Sequence, residues 1–207
     1  MSKRSLRGLY AIADTGLVPA AKLIPCADAL LRGGAALLQY RDKQGDGGQR
    51  RQQAAALSRL CHEYGRPFMV NDDPELAAMI GADGVHLGQD DGSIASARTL
   101  LGPGAIIGLS CYNSLERAIA AESQGADYVA FGRFFPSVTK PGAVSAPVVL
   151  LHQARAALHV PIVAIGGITP TNGALLLEAG ADMLAAIHGL IGQADPAAAA
   201  RAYSCLF

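Results

Sequence analysis

The segment Gln39-Tyr40-Arg41-Asp42-Lys43 carries the first residues in the chain that could do chemistry together. In an extended chain side chains alternate faces, so Gln39, Arg41 and Lys43 project the same way. Two cations and an amide on one face make a clamp for phosphate, and Arg can grip two oxygens at once. A solvated loop carries the same charges, so the segment alone leaves both readings open. Further on, Asn71-Asp72 and Asp90-Asp91 each follow a short apolar run. Acidic residues at two neighbouring strand ends can share one hard cation, and Mg²⁺ takes one or two carboxylates plus water and phosphate oxygens. Asp73 before Pro74 reads as a helix N-cap, and Asp90 and Asp91 also suit capping of the helix that follows them.

Four more places gather polar residues. Ser110 ends an apolar run, while Asn113 and Ser114 just beyond it suit N-caps. The segment 133–142 is long and carries Ser137, Thr139 and Lys140, a composition suited to an anion-binding lid. Gly166-Gly167-Ile168 and Ile187-His188-Gly189 let backbone N–H groups come close to a phosphate. The Walker pattern GxxxxGK[ST] is absent, and Gly102, Gly104 and Gly108 do not form GxGxxG, so no dinucleotide site is supported.

These residues need a scaffold that brings strand ends together. Candidate strands are 9–13, 36–40, 67–70, 84–87, 106–110, 128–132, 162–166 and 183–187, each continuously apolar as strands buried on both faces are. Helical stretches such as 48–64, 114–124, 147–158 and 171–179 lie between them. Gly81-Ala82-Asp83, Gly125-Ala126-Asp127 and Gly180-Ala181-Asp182 punctuate the helix-to-strand junctions, with Gly33-Gly34-Ala35 in the same place earlier. A left-handed glycine there closes the helix. At roughly 20–30 residues per unit, about eight βα units fill the chain, predicting an α/β (β/α)₈ TIM barrel over residues 1–207 as a single domain. An open doubly wound sheet uses the same alternation. In a barrel the polar sites collect at the C-terminal strand ends. The residues then describe two anion sites. One, with Arg41, Lys43 and a divalent cation, suits a diphosphate; the metal-free one, at strands six to eight, suits a monophosphate. Two phosphorylated substrates joined with loss of diphosphate fit that layout.

Composition narrows the class. The 207 residues balance 17 Lys+Arg against 17 Asp+Glu and are 51% hydrophobic, which argues against a disordered chain and against a sequence-independent nucleic-acid partner. No apolar run reaches the 18 residues or more of a membrane span, and Asp14 interrupts the apolar stretch after Lys3, Arg4 and Arg7 too early for a secretory leader. Cys26, Cys61, Cys111 and Cys205 form no CxxC pair and read as reduced thiols of a cytoplasmic protein. A homo-oligomer is compatible with the sequence, which does not specify one.

The segments GGAALLQYRDK, VNDDPELAAMIGADGVHLGQDD, IIGLSCYNSLERA, GADYVAFGRFFPSVTKPGA and PIVAIGGITPTN, in this order, closely resemble thiamine-phosphate synthases. The resemblance runs over nearly the whole chain. It implies condensation of hydroxymethylpyrimidine diphosphate with thiazole phosphate, plain or carboxylated, to give thiamine phosphate and diphosphate. It implies that the 39–43 segment (Gln39, Tyr40, Arg41, Asp42, Lys43), Asn71, Ser110 and Lys140 hold the pyrimidine diphosphate. Arg41, Lys43, Ser110 and Lys140 take the catalytic role. Asp72 and Asp91 correspond to the Mg²⁺ ligands. Ser137, Val138 and Thr139, with Gly167, Ile187 and His188, fall on the thiazole phosphate. In that family the pyrimidine methylene becomes carbocation-like before the thiazole nitrogen attacks, and no protein nucleophile is needed. Two positions depart from the pattern: His188 stands where the family has Ser, and Ala13 where it has Thr. A related thiazole tautomerase would need a histidine near Tyr112-Asn113, where none stands, and no diphosphate clamp. A non-catalytic barrel binding thiazole phosphate or thiamine phosphate is encouraged only by His188.

Overall fold

The computed structural model describes residues 6–136 and 144–207. Eight parallel strands close on themselves in chain order, β1 pairing with both β2 and β8. The strands are β1 (Gly8–Asp14), β2 (Leu37–Arg41), β3 (Phe68–Asn71), β4 (Gly84–Leu87), β5 (Ile106–Tyr112), β6 (Tyr128–Phe131), β7 (Ile162–Ile165) and β8 (Met183–Ala186). Helices α1 (Ala20–Arg32), α2 (Gly47–Glu63), α3 (Pro74–Ile80), α4 (Ile94–Leu101), α5 (Leu115–Ser123), α6 (Val149–Ala157) and α7 (Pro170–Glu178) alternate with them. A single turn, α8 (His188–Ile191), and a closing helix, α9 (Pro196–Ser204), follow β8. This is a (β/α)₈ barrel, and the doubly wound alternative falls with its closure.

Two apolar layers follow from strand alternation. Tyr10, Ile12, Leu37, Met69, Tyr128, Val163, Met183 and Ala185 fill the barrel interior. Leu9, Leu38, Val70, Val85, Ile107, Val129 and Leu184 face the helices instead. Ala13 belongs to this outer layer, so its exchange for the family's Thr is a matter of strand–helix packing.

The Gly-Ala-Asp motif does two jobs. Gly81, Gly125 and Gly180 take positive φ of 65°, 91° and 114° after their helices, a region that glycine enters without a Cβ clash. At the earlier junction it is Gly34 (φ 97°) that does so, while Gly33 stays right-handed. The aspartates close the other end of the barrel. Asp83 accepts the Phe68 N–H at 2.9 Å, Asp127 the Ile107 N–H at 2.9 Å and Asp182 the Ile162 N–H at 2.7 Å. Each also meets a donor from the helix that leads into the clamped strand: His62 of α2, Arg98 of α4 and Arg155 of α6. The clamps therefore tie β3 to β4, β5 to β6 and β7 to β8. Asp127→Ala is expected to destabilise the fold by about 1–3 kcal/mol, since it strands the Ile107 N–H and removes the ion pair with Arg98, which keeps its bonds to the Ala105 and Gly125 carbonyls. Urea unfolding measures this. Substrate KM values should hold, because the clamp lies at the end opposite the strand C-termini.

Candidate active site

A cavity of about 580 Å³ opens at the C-terminal ends of the strands, within the range that holds small ligands. Alternation along β2 aims Gln39 and Arg41 into it, and Lys43, just past the strand end, lines it beside them. Tyr40 points outward and is buried beneath α2, where its hydroxyl lies 2.8 Å from Gln53 Oε1 and 3.1 Å from Asp42 Oδ2 and shares its one proton between them. Asp42 accepts the Gln44 and Gly45 N–H groups and shapes the turn. Neither Tyr40 nor Asp42 lines the cavity, because both occupy the opposite face of the strand from Gln39 and Arg41.

Arg41 forms an ion pair with Asp14 at the end of β1, where the register places the two side by side. Asp14 is buried and also accepts the Gly16 N–H at 2.9 Å. Sequence reasoning missed this role, treating Asp14 only as the residue that ends an apolar stretch.

Lys43 bonds to Asp72. Asp72 is held at φ 63°, and its N–H donates to the His86 carbonyl at 2.8 Å. Its carboxyl shares a hydrogen bond with that of Asp91, which accepts the Gly88 N–H at 2.8 Å. Burial opposes ionisation of Asp72, yet Lys43 and the Asp91 hydrogen bond hold its carboxyl below the usual carboxylate range. Burial and the Asp72 carboxyl push Asp91 up. A Cβ on Gly88 would come within 2.5 Å of Asp91 Oδ2, so glycine there leaves the pair its space. Asp91 does not cap α4; Ser93 does, accepting the Ser96 N–H at 3.0 Å. Asp90 and Asn71 line the cavity beside the pair. No group of three metal-ligating side chains occurs among the described residues. Two facing carboxylates, one cation already drawn to them, and an open side suit a hard divalent ion that completes its shell from water and phosphate.

Beneath these groups runs a hydrogen-bonded chain across five strands. Gln39 Nε2 donates to the Tyr10 hydroxyl at 2.7 Å, and the Tyr10 and Tyr128 hydroxyls lie 2.8 Å apart. Tyr128 meets His86 Nδ1 at 2.9 Å, and His86 Nε2 meets Ser110 Oγ at 2.9 Å. Burial pushes both phenols up, so they remain protonated donors. The chain joins two candidate substrate contacts, Gln39 and Ser110, through the Tyr10 and Tyr128 hydroxyls and the His86 ring. On the far side of Ser110, Arg117 Nε donates to its carbonyl at 2.9 Å. Ser114, not Asn113, caps α5.

The opposite wall is mostly backbone. Gly166 (φ 104°), Gly167 (φ 63°), Ile187, His188 and Gly189 line it. A Cβ on Gly167 would overlap the Pro136 carbonyl and lie 2.7 Å from that of Phe135. Asn172 Nδ2 holds the Gly167 carbonyl at 3.1 Å. Among the described residues, the Gly167 and Ile168 amides donate to no protein acceptor, as an anion-binding turn requires. His188 is exposed, and its ring lies 3.2 Å from where a Gly192 Cβ would be. Ser137, Val138, Thr139 and Lys140 lie outside the described residues. The cavity thus has a cationic and acidic end at β2–β5 and a peptide-lined end at β7–β8.

A profile of the family described as thiamine monophosphate synthase matches residues 9–190. The chain is 58% identical over 199 residues to a thiamine-phosphate synthase of Nitrosococcus oceani, covering 96% of this chain and 92% of that one. It is 56% identical over 202 residues to the Chromobacterium violaceum thiamine-phosphate synthase, with 98% and 97% covered. Among solved structures, thiamine phosphate pyrophosphorylase from Pyrococcus furiosus superposes with a TM-score of 0.89 at 33% identity, covering 99% and 96%. No described helix is long and apolar enough to cross a membrane.

Proposed function

The chain belongs to the thiamine monophosphate synthase family and is a transferase, and from that premise we propose how its cavity performs the condensation of hydroxymethylpyrimidine diphosphate with thiazole phosphate. One observation carries the reading: a single cavity holds a clamp of Arg41, Lys43, Asp72 and Asp91 at one end and the Gly166–Gly167 and Ile187–Gly189 peptides at the other. A diphosphate suits the first end and a monophosphate the second, with room between them for two rings.

In this reading Arg41 and Lys43 grip the diphosphate, and Gln39, Asn71 and Ser110 orient the pyrimidine. Asp72 and Asp91 hold Mg²⁺, which when bound supplies electrostatic neutralisation of the phosphate oxygens. Lys43 then exchanges Asp72 for the substrate. The bond between the pyrimidine methylene and the diphosphate oxygen breaks, and both electrons leave with the oxygen. The thiazole nitrogen donates its lone pair to the methylene carbon, forming the new C–N bond. Charge grows on the leaving diphosphate as this happens, so prearranged cations around it lower the barrier. Backbone amides of Gly167 and Ile168 hold the thiazole phosphate. The family resemblance alone adds Ser137, Val138 and Thr139 to that phosphate and Lys140 to the diphosphate. The 1–207 chain acts as one domain on small molecules in the cytoplasm.

The tautomerase and non-catalytic readings lose support from relatives named as synthases at both 58% and 56% identity. Incubating the protein with both substrates and Mg²⁺ should release diphosphate in step with thiamine phosphate. Excess EDTA should abolish the release, and added Mg²⁺ should restore it. Absence of diphosphate release with Mg²⁺ present would sink the assignment.

A further inference from the structure

The proposed monophosphate end joins two turns from different βα units, and something must hold them at a fixed separation. The side chain lying between them comes from neither. Tyr203, on α9, is fully buried, and its hydroxyl donates to the Ile168 carbonyl at 2.6 Å. The same oxygen fills the space beside Gly189: a Cβ there would overlap the Tyr203 hydroxyl and lie 3.4 Å from the Ile168 carbonyl. A buried tyrosine needs an acceptor for its hydroxyl. This one uses the carbonyl of Ile168, the residue after Gly167, while resting against Gly189, the residue after His188. Asn172 holds the other end of the first turn through the Gly167 carbonyl. The Gly167 and Ile168 amides, which donate to no described protein acceptor, are therefore fixed from both sides.

We propose that Tyr203 is a positioning residue for the phosphate of the thiazole substrate, setting the spacing of the two peptide turns from outside the cavity. The inference rests on the functional reading above. It places affinity for one of the two substrates under the control of the closing helix.

The test uses the full chain and measures thiazole phosphate binding by calorimetry alongside steady-state kinetics. Tyr203→Phe keeps the ring and removes only the hydroxyl. It should raise Kd and KM for thiazole phosphate about five- to tenfold, the worth of one buried hydrogen bond. The kcat at saturation and the KM for the pyrimidine diphosphate should stay near parental values. Gly189→Ala should raise the same Kd further, because its methyl group meets the hydroxyl. Joining the two substitutions removes that clash, so the double variant should bind no worse than Tyr203→Phe alone. Equal increases in both KM values, an unchanged Kd in Gly189→Ala, or strictly additive effects would each overturn the proposal. Should the parent protein bind thiazole phosphate yet release no diphosphate, the condensation reading fails while the Kd series still decides the role of Tyr203.

Discussion

Asp72→Asn is expected to lower kcat for the condensation by about two to three orders of magnitude, the cost of removing one prearranged electrostatic contact at the reacting charge. Its amide would be a poor ligand for a hard cation and would no longer anchor Lys43. Stability should hold or fall slightly, because burial opposes the Asp72 charge but Lys43 and Asp91 outweigh it, and the substitution gives up that net preference for the ionised form. Asparagine also suits the backbone, since Asp72 sits at φ 63°, where Asn and Asp are tolerated better than other residues with a Cβ. Alanine there should cost the same activity and, in addition, about 1–2 kcal/mol of stability through left-handed strain. The pair separates chemistry from folding: diphosphate release reads kcat, and urea unfolding reads stability. A near-parental kcat in Asp72→Asn at saturating Mg²⁺ would make the residue a bystander.

The largest stability effect is expected at Gly108→Ala, at about 3–5 kcal/mol from overpacking plus stranded hydrogen bonds. Gly108 lies on β5 with the Tyr128 ring directly over its Cα, and an added Cβ would overlap the ring carbons. The ring must leave, taking the hydroxyl that links Tyr10 to His86. Activity should fall with it, because Gln39 and Ser110 both depend on that chain for their orientation. Gly104→Ala is the control: no atom lies within 4 Å of the added carbon, and its unfolding free energy should change by no more than about 0.5 kcal/mol. Equal stabilities for the two variants would show that the ring can slide aside.

Much of this architecture is legible in the sequence, because its signals are local. Parallel strands buried on both faces read as unbroken apolar runs, and the Gly-Ala-Asp junctions mark where β4, β6 and β8 begin. Asp72 and Asp91 stand out as acids at strand ends. What stays hidden depends on register between strands far apart in the chain. His86 looks like a lone polar residue in an apolar run, and its partners come from β5 and β6. Asp14 looks like the end of a strand until β2 sets Arg41 beside it. Tyr40 is the opposite case: alternation alone turns it outward, whereas the family resemblance groups it with its neighbours. Tyr203 carries no sequence signal, since an aromatic in an Ala-rich helix reads as ordinary core.

The aspartate clamps at the closed end amount to a ruler. Counting three residues past Asp83, Asp127 and Asp182 reaches His86, Ala130 and Ala185, and all three line the cavity. Counting three past Ala36, which holds the matching place after Gly34-Ala35, reaches Gln39. These four positions form one tier at the cavity floor, two occupied by polar side chains and two by alanine. New chemistry has a ready address at Ala130 and Ala185, where a longer side chain would stand level with His86 and Gln39. One residue inserted between clamp and tier would turn a strand's side chains to the opposite face, whereas an insertion past the tier would only lengthen a loop.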